Sequence, residues 1–296
     1  MTPGSTPTEA RCTICGGTQH LPVFEKAGYR LVRCPSCDLV WVANPPSAEE
    51  LARIYSFESG YHSKLQSRRL ERLHMREARG HHAIVSDHMD PGRVLDVGCS
   101  VGAFLRVARE AGWDAVGLEF SADTSEIARS EHGLEVVTGT MEDRPFPKAS
   151  FDLVTMWDVI EHVPDPLRTM GLVHELLRPG GMVAITTPNI DGLFPRASLP
   201  LAKIVGHWPH PEPPHHLYQF SKRTIERLLS AAGFDVVALV DQRIRLSYSF
   251  GGLLSHAKRP YRLPYTALFA PLAWAGPLLD RGDTMVVIAR RAEKSP

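Results

Sequence analysis

The stretch Val94-Leu95-Asp96-Val97-Gly98-Cys99-Ser100-Val101-Gly102-Ala103-Phe104-Leu105 constrains this chain more than any other. An apolar run ends in an acid, a glycine turn follows, and a helical pattern then runs from Ala103 to Ala111 and is closed by Gly112. That order predicts strand, tight turn and helix, the unit that holds nucleotide-like cofactors at the carboxyl end of a parallel strand. Its glycines are spaced Gly98-x-x-x-Gly102, not G-x-G-x-x-G. Glycine at both positions lets the backbone turn sharply and lets a ligand approach closely. Taken alone, the turn also fits a plain strand-to-helix connection.

The rest of the chain repeats the alternation. Apolar runs predict strands at 93–97, 114–119, 135–138, 151–156, 181–187, 234–241 and 283–290, and helical patterns fall at 102–111, 121–132, 165–177 and 221–232. Strands alternating with helices imply an α/β fold with a parallel sheet covered on both faces. The last two strands lack a convincing crossover helix, so the final strand is expected to run antiparallel. With 296 residues, 43% of them hydrophobic, the chain can bury a full core plus a small appendage.

That appendage is expected at the N-terminus. After a disordered tail at 1–10 come Cys12-x-x-Cys15 and Cys34-x-x-Cys37. Each pair can turn two thiolates toward one tetrahedral ion, and Gly16-Gly17 suits the tight geometry. A four-cysteine Zn2+ site in a small ribbon over 11–45 follows, structural because a closed thiolate set leaves no open coordination position. Ser47-Ala48-Glu49-Glu50 reads as a capping box opening a helix to about Tyr55. Lys64 to Met89 reads as a second helix, with Leu70, Leu73, Ala78, Ile84 and Val85 inward. It is rich in Arg and His, so 46–89 is either a linker with a solvated face or an anion-binding lid. The main domain is expected to span 90–296, with insertions at 188–220 and 242–282.

Chemistry gathers at the strand ends. Asp114 to Glu119 ends in a carboxylate that can accept both hydrogens of a ribose diol. Val137-Thr138-Gly139-Thr140-Met141-Glu142 can frame an adenine edge, with Met141 against the ring. Two further segments are Phe151-Asp152-Leu153-Val154, leading to Glu161-His162-Val163, and Leu177-Arg178-Pro179-Gly180-Gly181. In this order these segments resemble the class I S-adenosylmethionine-dependent methyltransferases, over residues 90–241 and 283–290. The resemblance implies a Rossmann-like seven-stranded sheet and S-adenosyl-L-methionine as methyl donor. It places Asp96, Gly98, Cys99 and Gly102 at the methionine end of the cofactor and Glu119 at the ribose, with Phe120 beside the adenine. Met141 and Glu142 fall at the adenine edge, and Trp157 and Asp158 beneath the sulfonium. Many relatives carry an aspartate where this chain has Thr140, a departure at the adenine contact. The chain is also similar to small-molecule methyltransferases of glycan, lipid and quinone pathways. These couple an N-terminal zinc ribbon to the fold and share a block corresponding to Pro214-His215-His216-Leu217-Tyr218-Gln219-Phe220-Ser221.

Methyl transfer to a hydroxyl needs a proton acceptor. The candidates are His162, His215 and His216, each with a bland alternative: His162 caps the Pro164 turn, and His215 and His216 pack a rigid Pro-Pro connector. Asp158-x-x-Glu161-His162 also resembles the acidic cluster of ubiquinone-type O-methyltransferases, which would hold a divalent ion. Leu263 to Leu279 carries no charge but three prolines, and is too short to span a membrane. It is either a flap packed on the domain or a surface touching lipid or a lipid-linked acceptor, with peripheral membrane contact through 258–279. The expected acceptor is a small molecule, sugar or lipid-linked intermediate, methylated at oxygen. The competing reading is an rRNA or tRNA methyltransferase whose ribbon grips RNA. A formal net charge of zero and the absence of a base-amino motif after the fourth strand of the main domain weigh against nucleic acid. A non-catalytic binding module is disfavoured by Glu119 and the intact glycines. Residues 1–9 lack the regions of a signal peptide, which points to the cytoplasm.

Overall fold

In the computed structural model the capping box at Ser47 forms as its sequence predicts: Glu50 N donates to Ser47 Oγ at 3.2 Å, and Ser47 N to Glu50 Oε2 at 2.8 Å. The structure describes residues 11–54, 68–206, 208, 210–243 and 262–293. The expected tail at 1–10, the start of the lid at 55–67 and the segment 244–261 lie outside the described residues. Two compact units are present, one built from 1–45, 187–228 and 239–286, the other from 46–186, 229–238 and 287–296.

The second unit opens with helices α1 (Ala48–Ile54) and α2 (Arg68–Ser86). Met75, Ala78 and Val85 form the buried stripe of α2, at helical spacing. Then the predicted alternation appears: β4 (Arg93–Val97), α3 (Ala103–Glu110), β5 (Asp114–Glu119), α4 (Ala122–His132), β6 (Glu135–Thr138), β7 (Phe151–Trp157), α5 (Pro166–Leu176) and β8 (Leu177–Pro188). The starts of α4 and α5 carry side-chain caps, as α1 does at Ser47. Ser121 accepts from Thr124 N, and Asp165 accepts from Arg168 N with Pro166 in the first turn. The chain continues through α7 (Lys222–Ala231), β10 (Phe234–Gln242) and β11 (Thr284–Arg291). The seven-stranded sheet has the order β10-β11-β8-β7-β4-β5-β6. Pairings β4–β5, β4–β7, β5–β6 and β7–β8 are parallel, and the last strand is antiparallel. Strand order reverses between β4 and β7, the point beyond whose strand carboxyl ends open α/β sheets bind their ligands. Val94, Leu95, Leu153, Val154 and Met156 are fully or almost fully buried, consistent with a sheet covered on both faces.

The first unit holds a four-stranded sheet of β1 (Leu21–Lys26), β2 (Tyr29–Arg33), β3 (Val40–Val42) and β9 (Tyr218–Gln219). The ribbon predicted over 11–45 supplies three of these strands. The fourth comes from the His-rich block, where Tyr218 and Gln219 pair with Trp41 and Val40. Two helices occupy the insertions: α6 (Leu193–Val205) and α8 (Arg262–Ala275). Asp283 Oδ1 accepts the backbone N–H of Phe194 at 3.1 Å and so anchors the start of α6. One core cluster joins the ribbon to this region through Leu31, Val40, Ile190, Ala202 and Trp208. A second packs Phe194 against Phe269 and Ala273, each phenylalanine contributing about 1.5–3 kcal/mol of burial. Local pattern does not announce α8, because Pro264 and Pro271 argue against a helix until Phe269 has a surface to bury against.

Candidate functional site

The turn after β4 is tight for steric reasons that can be read from its neighbours. Gly98 has φ +70°, and a Cβ there would lie 2.7 Å from Val159 Cγ2. Gly102 has φ +82°, and a Cβ would fall 2.1 Å from Leu134 Cδ1. Only glycine meets both the left-handed conformation and the lack of room. Gly98 N and Cys99 N both donate to Leu118 O, tying the turn to the end of β5.

Two buried carboxylates flank this turn. Asp96, 2% exposed at the tip of β4, accepts from Thr155 Oγ1 at 2.7 Å. Burial pushes its carboxyl up to about 7. Glu119, at the tip of β5, accepts the backbone N–H of Ser100 at 2.8 Å and of Ser121 at 2.9 Å, one on each oxygen. Each carboxylate oxygen retains a second acceptor position for a ligand hydroxyl. Cys99 sits differently from the glycines around it. Its thiol is buried, and a Cβ on Gly117 would lie 2.5 Å from its Sγ, so the side chain packs into the sheet and only its backbone faces the turn.

Beside Glu119, Phe120 is 49% exposed, a flat apolar surface at the strand end. Gly139 N donates to Glu119 O and brings the end of β6 alongside. There Met141 is buried and Glu142 is exposed. Thr140, at the departure from the family pattern, is held by Asp143, whose Oδ2 accepts from Thr140 N at 2.7 Å and Oγ1 at 2.9 Å. At the end of β7, Trp157 stacks on His81 of α2, with ring centroids 4.2 Å apart and planes at 11°, and Phe104 tilts against it at 5.1 Å. The Trp157 indole N–H is buried and finds no hydrogen-bond partner among the described residues. Such a group is normally satisfied, so a ligand acceptor fits here. Asp158 follows at φ 55° and is exposed, its N–H donating to Thr186 O.

Thus Asp96, Gly98, Gly102, Glu119, Phe120, Met141, Glu142, Trp157 and Asp158 come to the carboxyl ends of four adjacent strands. His81 joins them unannounced by any motif. The only sign was the abundance of Arg and His in the α2 stretch, which does not select a residue. Burial lowers the His81 imidazole to about 4, so it is neutral at pH 7, and its Nε2 lies 3.5 Å from Thr186 Oγ1. Thr155 was likewise missed, although it orients Asp96.

The three candidate bases divide between the units. His162 lies in the second, with its N–H donating to Val159 O. His215 and His216 lie in the first, on the turn after the cis peptide between Pro213 and Pro214, and burial lowers the His215 pKa. Glu161 and His162 have ligand atoms within 4.8 Å of each other, but Asp158 does not complete a three-residue set with them among the described residues.

In the first unit the four cysteines meet. Their Sγ atoms all lie within 4.8 Å of one another, with Cys12 and Cys37 3.3 Å apart and Cys15 and Cys34 3.5 Å apart. Four thiolates around one ion at a Zn–S distance of ~2.3 Å stand about 3.8 Å apart, whereas a disulfide would need ~2 Å. The set is compatible with zinc. Each pair sits on a turn closed by backbone bonds, Gly16 N to Cys12 O and Asp38 N to Cys34 O.

Residues 61–239 match a family model described as a methyltransferase domain. A probable S-adenosylmethionine-dependent methyltransferase of Mycolicibacterium smegmatis is 28% identical over 151 residues, 50% of this chain and 54% of that protein. The ubiquinone biosynthesis O-methyltransferase of Vibrio parahaemolyticus is 36% identical over 104 residues, 33% of this chain and 44% of that protein. The chain thus spans about half the length of the curated relatives it matches. Among solved structures, an S-adenosylmethionine-dependent methyltransferase of Thermotoga maritima aligns with a TM-score of 0.51 and 19% identity, over 74% of this chain and 92% of that one. At that identity the likeness is one of fold.

Proposed function

Because the chain belongs to the methyltransferase domain family, we propose that it moves a methyl group from S-adenosylmethionine to an oxygen of a small molecule, sugar or lipid-linked acceptor. The observation that carries the reading is the pair of buried carboxylates, Asp96 and Glu119, astride a turn that has no room for a Cβ.

The residues fit the cofactor by chemistry. A carboxylate at Asp96 suits an ammonium-bearing, sulfonium-centred ligand, where a phosphate would be repelled. Glu119 keeps acceptor positions for a ribose diol, and Phe120 offers a face for a purine. The chemistry supplied by bound S-adenosylmethionine is an electrophilic sulfonium methyl, open to in-line displacement. The chain must then hold the acceptor in line and take its proton. Trp157, clamped between His81 and Phe104, is a rigid wall with one N–H to offer. His162, His215 and His216 are the proposed proton acceptors. Burial favours the neutral form of His215, the form able to accept. The choice of oxygen draws support from the O-methyltransferase name of the Vibrio parahaemolyticus relative. Cys12, Cys15, Cys34 and Cys37 are proposed to hold one structural zinc ion, supported by their thiol spacing.

The test is transfer of label from methyl-labelled S-adenosylmethionine, incubated with the protein and a cell extract separated into metabolite, lipid and RNA fractions. Label in a methyl ether of the metabolite or lipid fraction is expected. Label confined to RNA, or absence of cofactor binding by calorimetry, overturns the reading.

A further inference from the structure

From Gln242 to Leu279 the sequence contains no aspartate or glutamate, yet carries Arg243, Arg245, Lys258, Arg259 and Arg262, in a chain whose formal net charge is zero. The described part of this segment is chiefly α8 and the 3-10 turn Gly276–Leu279. One stripe of α8, Phe269 and Ala273, is buried against Phe194 of α6. The opposite stripe is Leu263, Ala267, Leu268, Pro271 and Trp274, continued by Leu278, all exposed and all apolar. Steps of three and four residues put them on one helix face.

A surface helix of a water-soluble domain normally turns polar residues outward. One that is apolar all round is built to be covered. Here Leu268 is 59% exposed, Trp274 53% and Leu278 64%, and at the end of α6 Ile204 is 82% exposed. Isolated exposed apolar residues are ordinary, but a continuous stripe of this kind is not. Positive charge borders it. The Arg243 guanidinium lies over the Trp274 ring at 4.7 Å and donates to Trp274 O. The first acid after the segment, Asp280, is held by Lys222 Nζ at 2.8 Å. No described helix is long and apolar enough to cross a membrane, so the stripe is suited to lying on a surface.

We propose that this face of α8 docks on a membrane surface containing anionic phospholipid, its apolar stripe entering the headgroup boundary and its basic border meeting lipid phosphate. A second copy of the chain fits less well, because a two-fold contact would set the same cationic border against itself.

The test is co-sedimentation of the full chain with phosphatidylcholine vesicles and with vesicles that also contain phosphatidylglycerol. Wild-type protein is expected to pellet with the anionic vesicles, roughly tenfold more than with phosphatidylcholine alone, and to be released by raised salt. The double variant Leu268→Glu, Trp274→Glu changes only exposed positions and is expected to stay in the supernatant with its thermal unfolding midpoint retained. A wild type that stays in solution with every vesicle, or a folded variant that pellets equally, overturns the proposal. A concentration-dependent dimer that the double variant dissolves, without vesicle binding by the wild type, overturns it in favour of a second copy.

Discussion

Asp96→Asn isolates one charge at the proposed methionine end of the site. Asp96 is 2% exposed and accepts from Thr155, and burial raises its carboxyl from 3.8 to about 7. Because the folded value lies above the unfolded one, the folded chain holds a proton between about pH 4 and 7 that the unfolded chain has released. Stability of the ligand-free protein therefore falls as pH rises through that window, and the cost reaches ~4 kcal/mol above pH 7. A cationic ligand reverses the preference, because it favours the charged carboxylate, and binding then expels the proton. S-adenosylmethionine affinity should rise about fivefold from pH 6 to 7, about twofold more by pH 8, and level off above. Asparagine keeps the shape and can still accept from Thr155, but cannot ionise. The variant should bind with a pH-independent Kd, roughly 10–100-fold weaker than wild type at pH 8, the loss of a charge-assisted contact. Ligand-free, it should unfold at a higher temperature than wild type at pH 8. Calorimetry at pH 6, 7 and 8, in buffers of differing ionisation enthalpy, measures both Kd and proton release. A wild-type Kd that is flat across this range, with no proton released, refutes the reasoning.

Other outcomes follow from the same geometry. Glu119→Ala leaves a ribose diol and the Ser100 and Ser121 N–H groups without their acceptor, so cofactor affinity should drop roughly 10–100-fold by calorimetry; unchanged affinity refutes the ribose assignment. Gly102→Ala sets a Cβ 2.1 Å from Leu134 Cδ1 at φ +82°, and denaturant unfolding should show a loss of about 2–4 kcal/mol. His81 is held near 4, below its ordinary 6.5, so the unfolded chain binds the extra proton and stability should fall as pH drops from 6.5 to 4. His81→Phe, which keeps a ring against Trp157, should remove that part of the pH dependence in thermal melts. Chelation should release about one zinc per chain and expose the amides of 11–45 to hydrogen exchange while cofactor binding persists. Equal loss of both would mean that the ribbon and the cofactor site fold as one.

The alternation of strands and helices, the glycine turn, the Ser47 capping box and the paired cysteines were all legible in the chain itself. Each is a local device. A strand needs an apolar run, a cap needs a residue three positions on, and a zinc knuckle needs its C-x-x-C. The acids at 96 and 119 were legible for the same reason, since each ends an apolar strand and the strand end sets where its side chain stands.

What lay beyond local pattern was every feature set by a partner distant in sequence. The stack of His81 on Trp157 joins α2 to β7, and nothing near either residue marks the other. The two-residue strand β9 has no periodicity of its own and exists because β3 offers an unpaired edge. Cys99, adjacent to the site in sequence, turns its thiol into the sheet because Gly117 leaves a hollow there. The proline-bearing segment 262–275 became a helix only when Phe269 and Ala273 found Phe194 to bury against, while its opposite face stayed apolar and uncovered. Local propensity differs by less than about 1 kcal/mol among ordinary residues, which burial of one aromatic ring outweighs, whereas a proline inside a helix costs about 3 kcal/mol and is offset only by the combined burial of Phe269 and Ala273 against Phe194. Conformation could therefore be read wherever neighbours in sequence agree, and tertiary packing decided the rest.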